Sequence, residues 1–382
     1  MKPLFMWAGG KSKMLKHYQA HLPQTFNTYI EPFFGGGAMF AHIKNSNPNM
    51  TCYINDVNQG IVNIYKAIRD DVTRFLDILD HIDQQYIPLD KEKRKEFYYN
   101  TRHSHAWDFN QWDMTHEAAV FYFLLRTSFN GILQINKNTN NRFGTPSGLL
   151  KEKGSVYDRA NVMAWHDALQ TSVITCGDWK DCADKAPKES TFFFMDPPYR
   201  ESFTSYGQLF SDDDQINLLE YCKEVDAAGG KVLLCNRDDN DNFWNGREGN
   251  LSVSRFPITY TAGRRKKTED GFIAKTATEI YAASRLAIDP DTFTLEVKGK
   301  VNTPLKLSLA DLKKLPATEI VAVMQDVEDP QQMLAQHLLD CLTVVAPLRA
   351  QAAAQGHADD LRLLDVGSGA GLPGVVLAIA NP

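Results

Sequence analysis

Residues 191–199 read Thr-Phe-Phe-Phe-Met-Asp-Pro-Pro-Tyr. An apolar run of about five residues is the pattern of a strand buried on both faces of a parallel sheet. The run stops at Asp196, and in an open α/β sheet ligands bind at the ends of strands. Pro197 and Pro198 have a fixed φ and no N–H, so they are expected to hold the turn extended and leave their carbonyls unpaired. The stretch thus predicts a carboxylate, a free carbonyl and an aromatic ring, Tyr199, grouped at a cleft mouth. A planar base carrying an exocyclic amino group fits such a cluster. An Asp-Pro turn at a plain strand end is the competing reading.

Working outward, the same alternation recurs on both sides. Thr28-Tyr29-Ile30 reads as a short strand feeding Gly35-Gly36-Gly37, and Ala38–Ile43 as the helix start after it. Cys52–Ile54 is the next strand, closed by Asp56. Strand, glycine loop, helix, strand and acid in that order form the layout of a nucleoside-binding α/β unit. Ser172–Cys176 and Lys231–Cys235 are further apolar, strand-sized runs. Between Asp196 and the last of these, Ser211 caps a helix opening on Asp212-Asp213-Asp214 and stopped by Gly229-Gly230, an arrangement that suits the helix dipole. Leu251–Thr261 and Lys275–Ser284 read as a terminal hairpin around Arg264-Arg265-Lys266-Lys267. Residues 58–165 break the alternation with a helix over about 59–84, a charged-aromatic stretch Lys91–Trp112, a helix near 115–127 and a polar loop. Lys11–Ala20 has helical spacing.

Four separated stretches resemble the DNA adenine methylase family, the D12 class of N6-adenine-specific DNA methyltransferases. They are Trp7-Ala8-Gly9-Gly10-Lys11, Glu31-Pro32-Phe33-Phe34-Gly35-Gly36-Gly37-Ala38-Met39-Phe40, Ile54-Asn55-Asp56-Val57-Asn58 and Asp196-Pro197-Pro198-Tyr199. They occur in the family's order and cover about residues 1–287. The resemblance implies a class I S-adenosylmethionine-dependent methyltransferase sheet (Rossmann-like, residues 1–57 and 166–287). A mainly helical target-recognition module, 58–165, is inserted in it.

The resemblance also assigns roles. Trp7, Ala8, Gly9, Lys11, Phe33, Gly35, Gly37, Asp56, Asp178 and Trp179 are expected to bind S-adenosyl-L-methionine. Trp7 would form a wall, Lys11 would lie near the cofactor carboxylate, Asp56 on the ribose and Asp178 on the adenine amino group. Gly9-Gly10-Lys11-Ser12 imitates a phosphate-binding loop, but Phe5 occupies the position where that loop needs glycine. Asp196 and a proline carbonyl are expected to accept the amino hydrogens of a target adenine, with Tyr199 stacked on it. That base must first leave the duplex. Arg126, Phe129, Asn130, Gln134, Arg142 and the basic run Arg264–Lys267 are expected to contact double-stranded DNA. Gln134 stands where the family commonly has an arginine that reads guanine. Glutamine suits an adenine edge, which points away from the family's usual GATC target. Cytosine or RNA amino-methylation, or a catalytically idle DNA-binding protein, are the alternatives.

Composition constrains less. Of the formal net charge of −6, residues 288–382 hold 12 acidic and 7 basic side chains, against 35 and 34 in residues 1–287. Near-neutrality of the larger part permits a local basic face. Six cysteines without a C-x-x-C pair suggest reduced thiols and no metal. No signal peptide and no apolar run of about 18 residues is found. A cytoplasmic protein of a bacterial or phage-infected cell is expected, without membrane or obligatory protein partner. After about Ala287 the character changes. Residues 288–325 resemble a fragment of the sulfite-oxidase-type molybdopterin-binding family, through Phe293–Gly299 and Leu307–Leu312. Residues 326–382 resemble the start of the ribosomal-RNA guanine methyltransferase family once called glucose-inhibited division protein B, through His337–Asp340 and Leu363–Gly374. Both are partial, and joined sequence is expected here.

Overall fold

The apolar run at 191–195 forms a central strand with all five side chains buried. In the computed structural model the described residues are 1–285 except 8–10, 12–13, 19–20, 105–112, 132, 137–141, 149–153, 201–209, 240, 261–265, 269–270 and 274. Beyond 285 they are 294–297, 305–308, 365–366 and 375–376. Contacts divide the chain into two units, Met1–Arg285 and Leu286–Pro382.

The strands of the first unit are β1 (Thr28–Glu31), β2 (Thr51–Asp56), β3 (Ile135–Asn136), β4 (Arg142–Phe143), β5 (Ser172–Cys176), β6 (Thr191–Met195), β7 (Lys231–Asp238), β8 (Ser252–Tyr260), β9 (Lys266–Thr268), β10 (Gly271–Ile273) and β11 (Lys275–Ala283). Its helices are α1 (Leu15–Tyr18), α2 (Ala38–Ser46), α3 (Gln59–Asp70), α4 (Val72–Tyr86), α5 (Lys91–Ser104), α6 (Met114–Thr127), α7 (Arg159–Leu169), α8 (Trp179–Ala183) and α9 (Asp212–Ala227). Seven strands make one sheet in the order β5-β2-β1-β6-β7-β11-β8. The first five run parallel, and β11 pairs antiparallel with both β7 and β8. This is the Rossmann-like class I sheet that the resemblance implies. The expected terminal hairpin exists as β8 and β11, with the short β9–β10 ladder between them in sequence.

Side-chain alternation gives the sheet two different faces. Ile30, Phe193, Met195, Leu234 and Ile280 meet Trp179 of α8 and Leu218, Cys222 and Val225 of α9 in one apolar core. Each fully buried phenylalanine of β6 contributes ~1.5–3 kcal/mol. On the other face Tyr18 of α1 packs against Phe194 at 6.1 Å and Tyr281 at 5.7 Å between ring centroids.

The helix expected over about 59–84 is two helices. Asp71 lies between them with φ −148° and ψ 52°; its N–H closes α3 on Ala67. Its carboxylate accepts from Thr115 Oγ1 of α6 at 3.1 Å, so tertiary contact fixes the break. α3 and α7 pack on β5, and α6 is buried on nearly every side among α3, α4 and α5. In the second unit, β12 (Thr294–Val297) pairs with β13 (Leu305–Ser308) and β14 (Asp365–Val366) with β15 (Val375–Val376), both antiparallel. The glycine-rich stretch 367–371 and the stretch 337–340 lie outside the described residues.

Candidate active site

Strand order reverses between β1, which is followed in the chain by its neighbour β2, and β6 on its other side. Such a switch point opens a crevice beyond the strand ends. The glycine loop leaves β1 there and Asp196 leaves β6 there.

The glycine loop is shaped by close approach. Gly35 and Gly37 have φ of 47° and 63°, the left-handed region that favours glycine. A Cβ on Gly35 would stand 2.4 Å from Trp7 Nε1, so the indole lies directly on the loop backbone. The Asp56 carboxylate accepts from Gly35 N and Asn58 N, each at 2.8 Å, which ties the end of β2 to the loop. Burial pushes that carboxyl up, while these backbone donors pull it back down. Phe33 is half-buried, stacked on Trp179 at 6.2 Å and edge-on to Phe210 at 5.7 Å. Asp178 is exposed and caps α8, accepting from Lys180 N at 2.9 Å. The bare loop backbone, the fixed acid beside it and the aromatic wall together fit a nucleoside cofactor with a carboxylate end. Ala8 and Gly9 lie outside the described residues.

Lys11, which the resemblance puts near the cofactor carboxylate, reaches the Asp196 end of the site. Its ammonium lies 2.8 Å from Asp196 Oδ1, buried, and 4.7 Å from the centre of the Tyr199 ring. Burial alone would lower its pKa, but Asp196 and other nearby acidic groups more than offset this and raise it. Asp196 is pushed up by burial and pulled down by Lys11 and Tyr199, with the upward push the larger. The carbonyl of Pro198 is not open, contrary to the sequence expectation. Gln215 Nε2 donates to it at 2.8 Å, and Asn236 Nδ2 donates to Gln215 Oε1 at 2.8 Å. Asn236 Oδ1 in turn accepts from Arg200 N at 3.2 Å. Gln215 and Asn236 are each 1% exposed, so this chain of bonds sets the turn from inside the protein. Arg200 itself pairs with Asp212 at 2.7 Å and Asp241 at 2.9 Å, over the ring of Phe243.

The expected DNA-contacting residues fall in several places. Phe129, half exposed at 51%, and Asn130, with φ 55°, form a tight turn with Gly131. The turn is pinned by Phe129 N to Pro146 O and Gly148 N to Thr127 O. Arg126 is half-buried and its Nε donates to Val156 O at 2.8 Å. Gln134 is exposed, with its backbone bonded to Thr145 and Gly144. Arg142 lies in β4, and Lys266 and Lys267 in β9; Arg264 and Arg265 lie outside the described residues. Among the described residues no cluster of acidic, histidine and cysteine side chains could hold a metal, and no helix is long and apolar enough to cross a membrane.

Glu31 and Glu279 are among the buried carboxylates to which the sequence reading gives no role. Glu31, 2% exposed, accepts from Tyr29 Oη at 2.7 Å and Phe40 N at 3.1 Å. Glu279 of β11 is 4% exposed. An acid at the end of a short apolar run for Glu31, and within a strand for Glu279, is the available signal.

A Rossmann-like sheet with a glycine loop tied to an acid at its switch point is the arrangement of an S-adenosylmethionine-dependent methyltransferase. The chain belongs to the D12 class of N6 adenine-specific DNA methyltransferases, whose family model matches residues 7–254. Residues 315–382 match the model of the rRNA small subunit methyltransferase G family. Among curated proteins, type II methyltransferase M.MjaIII of Methanocaldococcus jannaschii is 34% identical over 260 residues, 65% of this chain and 89% of that one. Type II methyltransferase M1.LlaDCHI of Lactococcus lactis is 29% identical over 62% of this chain and 81% of its own. A DNA adenine methylase of Vibrio cholerae is 26% identical over 69% and 92%. The methyl donor is therefore S-adenosylmethionine and the substrate DNA adenine.

Proposed function

We propose that this chain methylates an adenine flipped out of a specific duplex site, with Asp196 and the Pro197 carbonyl accepting the two N–H bonds of its amino group. The observation that carries this is the Asp196 carboxylate at the strand switch point, paired with a buried ammonium beside Tyr199. S-adenosylmethionine, when bound, supplies an electrophilic methyl group. Trp7, Phe33, the Gly35–Gly37 backbone and Asp56 would hold it. Asp178 and Trp179 fit as more distant members, the first as an exposed cap and the second as the wall behind Phe33.

The amino nitrogen of adenine is a poor nucleophile because its lone pair is delocalised into the ring. Two fixed acceptors on its hydrogens turn that lone pair out of the ring plane and stabilise the positive charge that develops there. Pro198 contributes indirectly, since its carbonyl is tied to Gln215 and the turn geometry follows from that bond. Tyr199 has Lys11 on its ring, so a base would stack on the opposite side. Asp196 must be ionised to act. Since burial raises its pKa above the ordinary carboxylate value, activity should fall on acidification before an exposed aspartate would protonate.

Phe129, Asn130 and Gln134 on the pinned loop, with Arg142 and the basic run at 264–267, would face the DNA. Residues 58–165 would act as the recognition module, and the cytoplasm of a bacterial or phage-infected cell as the working compartment. Asp196→Ala is the direct test. Methyl incorporation from labelled S-adenosylmethionine into adenine should fall below detection, with cofactor binding by calorimetry retained. Activity within about threefold of wild type, far less than removing one preorganised polar group from a transition state costs, would refute the mechanism.

A further inference from the structure

Strand register brings together residues far apart in sequence. Thr28, Tyr29 and Ile30 of β1 pair with Thr191, Phe192 and Phe193, and Phe194 pairs with Leu233. Cys235 pairs with Tyr281, and Arg237 with Glu279. By alternation, Glu31, Asp196, Cys235, Arg237 and Glu279 therefore belong to one face of the sheet, near one end of it. Tyr18, touching both Phe194 and Tyr281, roofs this row. Lys11, 4% exposed, lies among the row with its ammonium on Asp196. Glu279 is too deeply buried to be solvated, and an isolated charge in such a place is strongly disfavoured.

We propose that Glu279 is a positioning residue for methyl transfer: across β7, on the same face of the sheet, its charge acts on the ion pair of Lys11 and Asp196, and so sets how far that cation holds Asp196 ionised. The inference rests on the reading of Asp196 as acceptor of the amino hydrogens. Two buried acids near one cation titrate as a pair, and removing one leaves the cation to the other. The electrostatic coupling is seen at Glu279, while burial, Lys11 and Tyr199 set the direction at Asp196. Burial raises Glu279, Lys11 lowers it, and the charge of Asp196 raises it again. The other titratable or charged groups on this face include Tyr18, Tyr29, Tyr281, His17 stacked on Phe256, His21 against Tyr281, Cys235, Arg237 bound to Asp239, Tyr199 and Glu31. His21 is lowered by burial, and burial raises Cys235, Tyr18 and Tyr199 well above their ordinary values.

The test is the pH dependence of single-turnover methyl transfer at saturating S-adenosylmethionine and duplex DNA, in the full chain. Glu279→Gln and Glu279→Met both remove the charge; Glu279→Asp keeps it. With the neutral variants the acidic limb of the profile should move to lower pH by about one unit, the scale of coupling expected for such a pair. With Glu279→Asp it should stay near the wild-type position even if the rate falls. Lys11→Met should move the limb the opposite way or abolish the reaction. Repeating the series with His17→Asn removes that imidazole from the comparison.

A merely structural glutamate would change rate and melting temperature in all three variants without moving the limb. An unmoved limb in a folded neutral variant overturns the proposal. So does failure of both neutral variants to fold while Glu279→Asp folds, since that makes the carboxylate structural. Asp196→Asn is run alongside. If it stays active, the reading of Asp196 fails. If it is dead and the Glu279 limb is unmoved, only this inference fails.

Discussion

Glu31 shows how much a single buried side chain can record. Its carboxyl has two donors, Tyr29 Oη and Phe40 N, and no solvent. Burial pushes its pKa well above 4.5, the Tyr29 bond works against that push, and the charge of Asp196 adds to it. A carboxyl whose folded pKa is raised adds stability that is fully present below the unfolded pKa and is lost as pH rises through the folded one. Glu31→Gln cannot titrate. The difference in unfolding free energy between variant and wild type should therefore move in the variant's favour as pH rises from about 5 to 8, with a slope of up to ~1.4 kcal/mol for each pH unit. Urea unfolding across that range measures it, and a difference independent of pH would mean Glu31 ionises in the fold as it does in the unfolded chain. Asp196 and Asp56 are legible in the sequence because each ends an apolar run, where a polar residue interrupts the pattern. Glu31 ends a short run too, but only strand order and register put it and Glu279 in one row with Asp196. No segment of sequence carries that information.

At the scale of elements, local chemistry is readable wherever it decides the structure. Asn58 caps α3 through Ile61 N, and Ser211 with Asp214 forms a full capping box on α9, as the Ser-Asp-Asp-Asp run suggests. The break at Asp71 is hidden because Thr115, forty-four positions away, holds it. The turn 128–131 belongs to the same class of locally written structure, with a left-handed Asn-Gly pair at its tip. Gln134 is exposed, one position before β3. Gln134→Arg should shift the preferred base at one position of the target toward guanine, since arginine matches the guanine edge and glutamine the adenine edge. Methylation mapping on a random-sequence library, wild type against variant, decides it. Identical recognition logos would remove Gln134 from the interface.

For the whole molecule, the sheet, the glycine loop, Asp56, Asp196 and the row beneath it all lie in Met1–Arg285. A chain ending at Arg285 should fold cooperatively and methylate DNA as well as the full chain does. At low salt it should associate slightly better, because residues 288–382 carry an excess of acidic over basic side chains whose repulsion is then poorly screened. Filter binding and methyl incorporation at two ionic strengths measure both effects. Loss of activity on truncation would show that the second unit completes the enzyme.

The Arg200 ion pairs bear on tolerance to changes of length. Arg200 begins the chain after Tyr199, and its partner Asp212 opens α9. The two ends of the stretch 201–209 are thereby stapled together, independently of what lies between. Closing a longer stretch costs only ~0.6 kcal/mol per doubling of its length. Changes of length between Arg200 and Asp212 should therefore leave the aim of Asp196 intact. Inserting four glycine-serine residues after Gly207 should leave the rate on a short duplex within about threefold, given the small cost of added length. The same insertion in an Arg200→Ala background should not be tolerated. Equal tolerance in both backgrounds would show that the staple does not insulate the motif.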